Sequence, residues 1–351
     1  MQSLNIGDLK NIARNLKPNE RLWGYFSYEW GAALEGIKPA SSQDELSLPP
    51  NWFQLETQKT GFCSLGSAKF GEDGGRKPAF KTSLSKKKYI ESVEKILAYL
   101  RAGDCYQVNL TQRFTTETNE DPQTIYQRLC QISPAPYACY LDCGGFQILS
   151  ASPELFLKAD ADGTLTTKPI KGTRPRGRSP TEDQKFKEEL TRSEKDRAEL
   201  LMITDLLRND MGKIAIPGSV QVPKLREVET FSNVHHLVST VTAQRTPDKD
   251  IIDVLTAMLP GGSITGAPKI RAMEIIRELE PVNRGVYTGA VGWIGPNNTA
   301  CFNVAIRTMV IQNKIAYFNA GGGIVIDSDP QAEYEECLVK ASGMMKALMP
   351  V

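Results

Sequence analysis

Histidine is almost missing from this chain of 351 residues, which contains only His235 and His236. A histidine-rich metal site is therefore excluded. The seven cysteines are odd in number and include no pair with C-x-x-C spacing, which argues against structural disulfides and against a zinc site with thiolate ligands. This cysteine usage fits a reducing cytoplasm.

Long apolar runs and an excess of one charge are also missing. No stretch approaches the roughly 18 uncharged apolar residues that a transmembrane helix requires. The N-terminal sequence MQSLNIGDLKNIARNL lacks the apolar core of a signal peptide. The 42 basic residues balance 41 acidic ones, giving a net charge of +1, whereas nucleic-acid and membrane-surface proteins usually have a basic excess. The sequence therefore predicts a cytoplasmic protein whose partners include neither a membrane nor a nucleic acid.

Breaker-rich segments and helical periodicity organise the chain. Residues 38–50 and 71–79 are rich in proline, glycine and polar residues and predict loops. We interpret residues 1–80 as a small, separate-looking remnant of an N-terminal region and 81–351 as the catalytic domain. One helix is predicted from the cap Ser85 to Gly103, and one long helix is predicted over 182–210. A third helix is predicted after the glycine loop GGSITGAPK, and a fourth over about 330–348.

Strand patterns come in runs rather than in strict alternation with helices. The β-prone segments are 105–114, 145–152, 154–159, 164–170, 286–295, 301–311 and 314–326. This order favours a mixed α+β protein over a doubly wound sheet.

Two pairs of acids stand at helical spacing. Asp196 and Glu199 are three residues apart on the helix predicted over 182–210, and Glu333 and Glu336 repeat this spacing on the last helix. Two such faces brought together would offer carboxylate oxygens, which suit Mg²⁺. Solvated acidic faces are the more common explanation of this spacing taken alone.

Lys171 lies in TLTTKPIKGTRPRGR, where a β-prone segment gives way to turn residues 172–175. A free lysine has a pKa of about 10.4, so the amine becomes a nucleophile only if desolvation or nearby cations lower that pKa. Arg174, Arg176 and a bound Mg²⁺ would act in this direction. The alternative is an exposed basic turn, and a nucleic-acid patch is disfavoured because no aromatic residues interleave with the charges.

Four further side chains are of types that bind or protonate a substrate. Arg307 interrupts an apolar strand pattern and suits either a carboxylate clamp or a structural salt bridge. His236 can transfer a proton near neutral pH, and Glu154 follows a proline at a break between two strand patterns, where an acid can be a general acid or base. Tyr287 can add a hydroxyl. Core packing of His236 and Tyr287, and an exposed turn position for Glu154, remain the alternatives.

Two glycine-rich segments allow a ligand to approach the backbone. GGSITGAPK has the spacing of a phosphate loop, but Ala267 and Pro268 stand where lysine and serine or threonine should follow, which disfavours a nucleoside triphosphate. A helix N-terminus still binds other anions, including carboxylates, and NAGGGIV permits close backbone approach. Each segment alone is also consistent with a simple turn.

Eight motifs in order resemble the chorismate-utilising enzymes: SASPELF, PIKGTRPRG, AELLMITDLLRND, HHLVS, GSITGAPKIRAMEII, YTGAVGW, AIRT and AGGGIVIDSDPQAEYEEC. The resemblance runs from about residue 85 to the C-terminus. It implies an α+β fold, a four-layer α/β/β/α sandwich of two packed antiparallel-rich sheets flanked by helices, with the active site between the sheets. It also implies chorismate as the substrate and Mg²⁺ as the cofactor.

Two positions differ among the branches of this family. Gln107 stands where isochorismate and salicylate synthases carry a general-base lysine, and Lys171 stands where anthranilate synthases read PIAGT. A lysine in the latter motif is typical of aminodeoxychorismate synthase component I. The resemblance thus implies amination of chorismate at C4, through a covalent adduct with Lys171, on the route to 4-aminobenzoate and folate.

The resemblance also implies roles for residues at matching motif positions. For the metal, they are Glu199 and Glu336 as direct Mg²⁺ ligands, with Asp196 and Glu333 as their partners. For substrate binding, they are Tyr287, Arg307, Gly266, Gly321, Gly323 and Gln107. For catalysis, beside Lys171, they are Glu154 as general acid or base at C4, His236 near the leaving hydroxyl and Thr173 in the same turn as Lys171.

The source of nitrogen must lie outside this sequence. The chain offers no Cys-His-Glu triad for glutamine hydrolysis, so the resemblance implies free ammonia or a separate glutamine amidotransferase subunit. The early segment of the family, with its motif for bound tryptophan, is expected to be absent or trimmed. Two rival functions are anthranilate synthase component I, against which Lys171 argues, and a degenerate chorismate binder that regulates a partner.

Overall fold

The computed structural model describes residues 4–39, 44–57 and 78–349. The helices in these residues are α1 (Ile6–Arg14), α2 (Tyr28–Leu34), α3 (Lys86–Ala102), α4 (Pro122–Ile132), α5 (Pro180–Arg192), α6 (Glu194–Gly212), α7 (Ile251–Met258), α8 (Lys269–Leu279) and α9 (Pro330–Ala347). The strands are β1 (Arg21–Phe26), β2 (Asn51–Glu56), β3 (Lys81–Thr82), β4 (Gln107–Glu117), β5 (Tyr137–Asp142), β6 (Gln147–Ser152), β7 (Leu155–Ala159), β8 (Thr164–Lys168), β9 (Ile170–Pro175), β10 (Gln221–Thr230), β11 (Val234–Gln244), β12 (Gly266–Ala267), β13 (Ala290–Ile294), β14 (Ala300–Val304), β15 (Thr308–Gln312) and β16 (Ile315–Ile324).

The two predicted loops lie partly outside the described residues. Residues 40–43 of the loop at 38–50 and residues 71–77 of the loop at 71–79 belong to the undescribed part. The described remainder of both segments contains neither helix nor strand.

Capping residues set the helix ends as the sequence predicts. Ser85 accepts a hydrogen bond from the backbone N–H of Lys88 at 3.3 Å and opens α3, and Gly103, with φ of 82°, closes it. Asp329 caps α9 by accepting from the backbone N–H of Ala332 at 2.8 Å. None of the described helices is long and apolar enough to cross a membrane.

The strands form two antiparallel sheets. The first has the order β10-β11-β8-β7-β14-β13-β1-β2, with β9 paired to β11, and the second has the order β12-β4-β16-β15-β6-β5, with β3 paired to β4. Helices α5 and α6 pack beside β9, β10 and β11, whereas α3, α4, α8 and α9 pack on the second sheet. The predicted α+β class, with two antiparallel sheets and flanking helices, is confirmed.

Apolar side chains of both sheets meet in common cores. Phe302 and Leu157 of the first sheet belong to the same core as Phe114 and Phe318 of the second, whose rings stack at 5.3 Å between centroids. A second core contains Val291 and other residues of both sheets. The packing holds the two sheets in one arrangement, so chain segments that pass between the sheets have defined positions.

Strands from both sides of the predicted boundary at residue 80 share one sheet. β1 pairs with β13, with Gly24 opposite Gly292, and β2 pairs with β1. The domain boundary at residue 80 stays a prediction, but the described part of residues 1–80 is continuous with the first sheet.

The single helix predicted over 182–210 is wrong, because α5 and α6 are separate helices. Ser193, with ψ of 107°, has left the helical conformation. Its backbone N–H still bonds to Glu189 at the end of α5, and its hydroxyl caps α6 by accepting from the N–H of Asp196 at 3.3 Å. The break places Asp196 and Glu199 in the first turns of α6.

A buried ion pair ties the end of α8 to the glycine loop before it. The Arg284 guanidinium bonds to both carboxylate oxygens of Glu280, at 2.6 and 2.9 Å, and both side chains are buried. The same guanidinium donates to the carbonyl oxygens of Ile264 at 3.0 Å and Asn109 at 2.8 Å. The charge of Arg284 therefore holds together the end of α8, the glycine loop and β4.

Glu280→Ala is expected to lower the free energy of unfolding by about 3 kcal/mol or more, because it leaves the Arg284 guanidinium buried without its carboxylate. The control is Glu278→Ala on the same helix, whose exposed carboxylate contacts Lys95 and the Tyr99 hydroxyl and whose loss should cost much less. Chemical denaturation measures both. Equal losses in the two variants would contradict a special role for the buried pair.

Candidate active site

The candidate site lies where two segments cross between the sheets. The chain leaves the second sheet after β6 and enters the first at β7, passing through Glu154, and it returns from β14 to β15 through Arg307. The crossings are hydrogen-bonded to each other, since the N–H of Val304 donates to the Glu154 carbonyl at 3.0 Å and the N–H of Ala151 donates to the Arg307 carbonyl at 3.0 Å.

The sequence pattern predicted that Arg307 interrupts a single strand, and this prediction is wrong. Arg307 is the last residue before β15, with φ of 48°, and the apolar run that contains it belongs to two strands in different sheets. Its half-buried guanidinium has no carboxylate within salt-bridge distance among the described residues, and burial lowers its pKa. Because arginine stays protonated, this cation can bind an anionic ligand.

Lys171 lies in a strand rather than at a turn, so the predicted turn at residues 172–175 is wrong. β9 pairs with β11, with Lys171 opposite Leu237 and Thr173 opposite His236. The backbone of Gly172, with φ of 72°, forms the irregularity between these pairs. A Cβ on Gly172 would lie 2.8 Å from the Asp196 carboxyl carbon, so β9 runs directly against α6.

Charges of both signs surround the Lys171 amine. Burial lowers its pKa and the nearby Lys340 ammonium acts in the same direction, while the carboxylates of Glu199, Glu154 and Glu336 oppose the shift. The net pKa is lowered, which increases the fraction of neutral amine. Desolvation is therefore the main cause of the lowered pKa of Lys171, whereas the sequence suggested the charges of Arg174 and Arg176 as its cause.

Thr173 and His236 contact each other across the β9–β11 pair. The Thr173 hydroxyl lies 2.9 Å from His236 Nδ1, and the ring edge faces Phe231. Burial, with a contribution from the Arg307 charge, lowers the pKa of His236 to about 4. The imidazole is therefore neutral at pH 7 and serves as a hydrogen-bonding group.

Glu154 is buried between the two sheets. Burial raises its pKa to about 7, although a hydrogen bond with Ser263 and the charge of Lys171 oppose the shift. A carboxyl group with this pKa can both give and take a proton near neutral pH.

Glu154→Gln is expected to gain stability relative to the wild type as the pH rises. The folded-state pKa of Glu154 is above its ordinary value of 4.5, so the folded wild type holds this proton longer than the unfolded chain and loses stability between about pH 4.5 and 7. Glutamine cannot ionise, so the difference in unfolding free energy should shift in its favour by about 2 to 3 kcal/mol between about pH 5 and 8. Glu94→Gln, an exposed change on α3, is the control, and parallel pH curves for Glu154→Gln and the wild type would contradict the assignment.

The four acids approach one another from α6 and α9, among three lysines. Lys340 Nζ contacts Glu336 at 2.7 Å, and Arg174 contacts Asp196 at 3.2 Å. Burial raises the pKa of Glu199, and the Lys171 and Lys195 charges oppose it. The last acid, Glu333, accepts from the Ser328 hydroxyl at 2.6 Å.

The chemical type of these acids suits a magnesium ion, because carboxylates are hard oxygen donors. A Cβ on Gly322 would lie 3.1 Å from Glu333 Oε2, 3.5 Å from Lys340 Nζ and 3.8 Å from Glu336 Oε1, so both carboxylates and the ammonium lie close to this glycine. Over the described residues, no group of three or more histidine, cysteine or acidic side chains stands close enough to share one ion. Lysine ammonium groups balance the acids in this arrangement.

The glycines and Gln107 line the end of the second sheet. At Gly266, φ is 142° and a Cβ would meet the Gln107 carbonyl oxygen at 2.1 Å, so only glycine fits. Gly321 and Gly323 lie opposite Thr111 and Asn109 of β4. Tyr287, half-buried between α8 and β13, lies near the charges of Arg284 and Glu280, and burial raises its pKa.

The structure adds residues that the sequence analysis did not single out. Lys195 and Lys340 stand among the acids, and Ser263 bonds to Glu154. Lys340 follows Glu336 by four residues, a helical ion-pair spacing that the sequence shows. No sequence signal connects Ser263 with Glu154, since this contact joins distant segments.

These features define a class of protein: an α+β enzyme-like scaffold whose site, between two antiparallel sheets, combines acids, an amine and a guanidinium suited to a small carboxylate-bearing molecule. The chain belongs to the chorismate binding enzyme family, whose model matches residues 3–346.

Relatives of two activities are equally similar to the chain. It is 44% identical over 260 residues to aminodeoxychorismate synthase component 1 of Bacillus subtilis, covering 74% of this chain and 55% of the relative. It is 44% identical over 270 residues to anthranilate synthase component 1 of Acetivibrio thermocellus, covering 77% and 54%. The chain therefore spans about half the length of these curated relatives.

A solved structure supports the fold over nearly the whole chain. Anthranilate synthase component I from Streptococcus pneumoniae superposes with a TM-score of 0.84 and 30% identity, covering 98% of this chain and 86% of that one.

Proposed function

We propose that this protein catalyses the Mg²⁺-dependent amination of chorismate at C4 to 4-amino-4-deoxychorismate. The observation that carries the proposal is Lys171, whose amine lies among Glu199, Glu154 and Glu336 with its pKa lowered by burial. An amine in this environment is available as a nucleophile, a role that the alanine of the PIAGT motif cannot take.

Two successive displacements give the regiochemistry. The neutral Lys171 amine attacks C2 of the ring, the double bonds shift, and the C4 hydroxyl leaves as water with a proton from Glu154. The secondary ammonium of the adduct returns a proton to the Glu154 carboxylate. Ammonia then attacks C4, the double bonds shift back, and the lysine leaves from C2 with the proton that the incoming nitrogen gives up. The net change is the replacement of hydroxyl by amino with release of one water.

The other site residues hold the substrate and balance its charge. The guanidinium of Arg307, with the Tyr287 hydroxyl and the backbone of Gly321 and Gly323, binds the enolpyruvyl carboxylate. Glu199 and Glu336, supported by Asp196 and Glu333, hold Mg²⁺, which when bound neutralises the negative charge of the ring carboxylate. The neutral His236, hydrogen-bonded to Thr173, orients the leaving hydroxyl.

Ammonia comes from a glutamine amidotransferase subunit. The name "component 1" of the curated relatives supports an enzyme of more than one component.

The decisive experiment is a product assay with purified protein, chorismate, Mg²⁺ and ammonium at alkaline pH. Formation of 4-aminobenzoate only after addition of a lyase supports amination at C4. Anthranilate without lyase would instead assign the C2 reaction of anthranilate synthase, which the similarity to the Acetivibrio thermocellus protein favours. Binding of chorismate without turnover would assign a non-catalytic subunit.

A further inference from the structure

Three buried polar side chains form a series of hydrogen bonds that ends at the backbone just before Arg307. The Asn303 amide bonds to the Ser150 hydroxyl at 3.2 Å, and the Ser150 and Thr308 hydroxyl oxygens lie 2.8 Å apart. The Thr308 hydroxyl in turn bonds to the carbonyl oxygen of Ile306 at 3.0 Å. We call Asn303, Ser150 and Thr308 the crossing network, because it joins β14 of the first sheet to β6 and β15 of the second.

The direction of each hydrogen bond in the crossing network is fixed by its two ends. The Ile306 carbonyl oxygen can only accept, so the Thr308 hydroxyl donates its one proton there. Ser150 must then donate to Thr308, and the Ser150 oxygen accepts from Asn303. At the other end, the Asn303 amide also donates to the Tyr137 carbonyl oxygen at 2.9 Å. The network therefore has one arrangement, and the loss of one member leaves a buried polar atom unpaired.

Arg307 has a backbone conformation that a residue with a Cβ keeps only when its surroundings enforce it. Its φ of 48° lies in the left-handed region. The peptide before Arg307 is held by the bond from Thr308 to the Ile306 carbonyl. The peptide after it is held because the Arg307 carbonyl accepts from the N–H of Ala151 at 3.0 Å. Since the two flanking peptide planes define φ and ψ, these two bonds hold the left-handed conformation in place.

The backbone of Arg307 decides where its guanidinium lies, because the protein holds little else of this side chain. The charge of the guanidinium lowers the pKa of His236, so it lies near the imidazole on β11. Burial lowers the pKa of Arg307 itself, and no carboxylate of the described residues opposes that shift. The far end of the side chain is thus available to an anion. Holding the near end in advance reduces the conformational entropy that anion binding would cost.

We propose that Thr308 is a positioning residue for Arg307. Its hydroxyl ends the crossing network on the peptide before Arg307, holds that residue in the left-handed conformation, and so directs the guanidinium to the anion that the site binds. The inference rests on the proposed function, in which this anion is the enolpyruvyl carboxylate. Thr308 is 2% exposed, so it acts through Arg307 and does not contact the substrate.

The test is Thr308→Val, which replaces the hydroxyl with a methyl group of nearly the same size. Calorimetry with chorismate and Mg²⁺, in the absence of ammonium, measures binding apart from amination. The Kd for chorismate should rise about 10-fold, the size of one lost hydrogen bond, and the KM for chorismate should rise with it. The KM for ammonium should change less than about 2-fold. Thr308→Ser keeps the hydroxyl and should bind chorismate within about 2-fold of the wild type.

The matched control is Thr116→Val, the same change at another buried threonine of the second sheet. Thr116 lies at the end of β4 away from Gln107, and its hydroxyl donates to the Ala79 carbonyl oxygen at 2.9 Å. Its loss removes a comparable hydrogen bond without touching the crossing network, so the Kd for chorismate should not change. Thermal unfolding of each variant checks folding.

A crystal structure of Thr308→Val gives a readout that needs no activity. It should show Arg307 with a changed φ and a displaced guanidinium, and an unchanged Arg307 would overturn the proposal. An equal rise of Kd in Thr116→Val, or no recovery in Thr308→Ser, would also overturn it. If Thr308→Val does not fold, Ser150→Ala removes the donor to Thr308 and should raise the Kd about 3-fold.

Failure of the proposed function would look different. A wild type that does not bind chorismate would count against the proposed function, whereas the conformation of Arg307 in Thr308→Val would still decide the role of Thr308.

Discussion

Lys171→Ala is expected to lower the rate of C4 amination by roughly 1000-fold or more, because it removes a nucleophile held in place beside the substrate, and such positioning accounts for large effective molarities. The remaining turnover should shift toward the 2-amino isomer, since ammonia that attacks C2 directly gives that product. Chromatographic separation of the products, with and without a coupled lyase, measures both the rate and the regiochemistry.

The matched control for this variant is Lys168→Ala. Lys168 is three residues away at the end of β8, and its ammonium forms a salt bridge with Glu229 on β10 rather than with the acids of α6 and α9. Its loss should leave the product and most of the rate unchanged. A Lys171→Ala enzyme with wild-type rate and regiochemistry would refute the nucleophile role, even if the protein proved to be an aminating enzyme.

Glu199→Gln is expected to weaken Mg²⁺ binding about 100-fold, because the neutral amide removes both a hard anionic ligand and one of four negative charges. The effect should be visible without turnover, by calorimetric titration of the protein with Mg²⁺. In the same variant Lys171 loses its strongest opposing acid, so its pKa should fall further.

Glu194→Gln is the control on the same helix, because Glu194 is exposed in the first turn of α6 and lies outside the proposed ligand set. Its Mg²⁺ titration should match that of the wild type. Unchanged Mg²⁺ affinity in Glu199→Gln would refute direct ligation and leave Glu336 and Glu333 as the acids to examine next.

Local signals in the sequence predict only part of the fold, and α4, α7, β10 and β11 are among the elements that they miss. Ser85 and Gly103 mark both ends of α3, and the polar break around Pro153 separates β6 from β7. These features succeed because a cap or a proline acts on its own neighbours. The failures at Ser193 and Arg307 have different causes. At Ser193, helix-compatible polar residues continue from α5 into α6 with no glycine or proline to mark the break. At Arg307, the apolar pattern continues although β14 and β15 belong to different sheets.

The candidate site shows the same division. The sequence by itself determined which residues we propose for the chemistry: Lys171, Glu154, Arg307 and the acids of α6 and α9, each singled out by type and by motif. Tertiary structure decided what surrounds them. Burial of Lys171 and Glu154, the absence of a described acid partner at Arg307, and the contacts of Ser263 and Asn109 arise between segments far apart in the chain. Desolvation and hydrogen bonding depend on distance in space, and only the packing of the two sheets sets those distances.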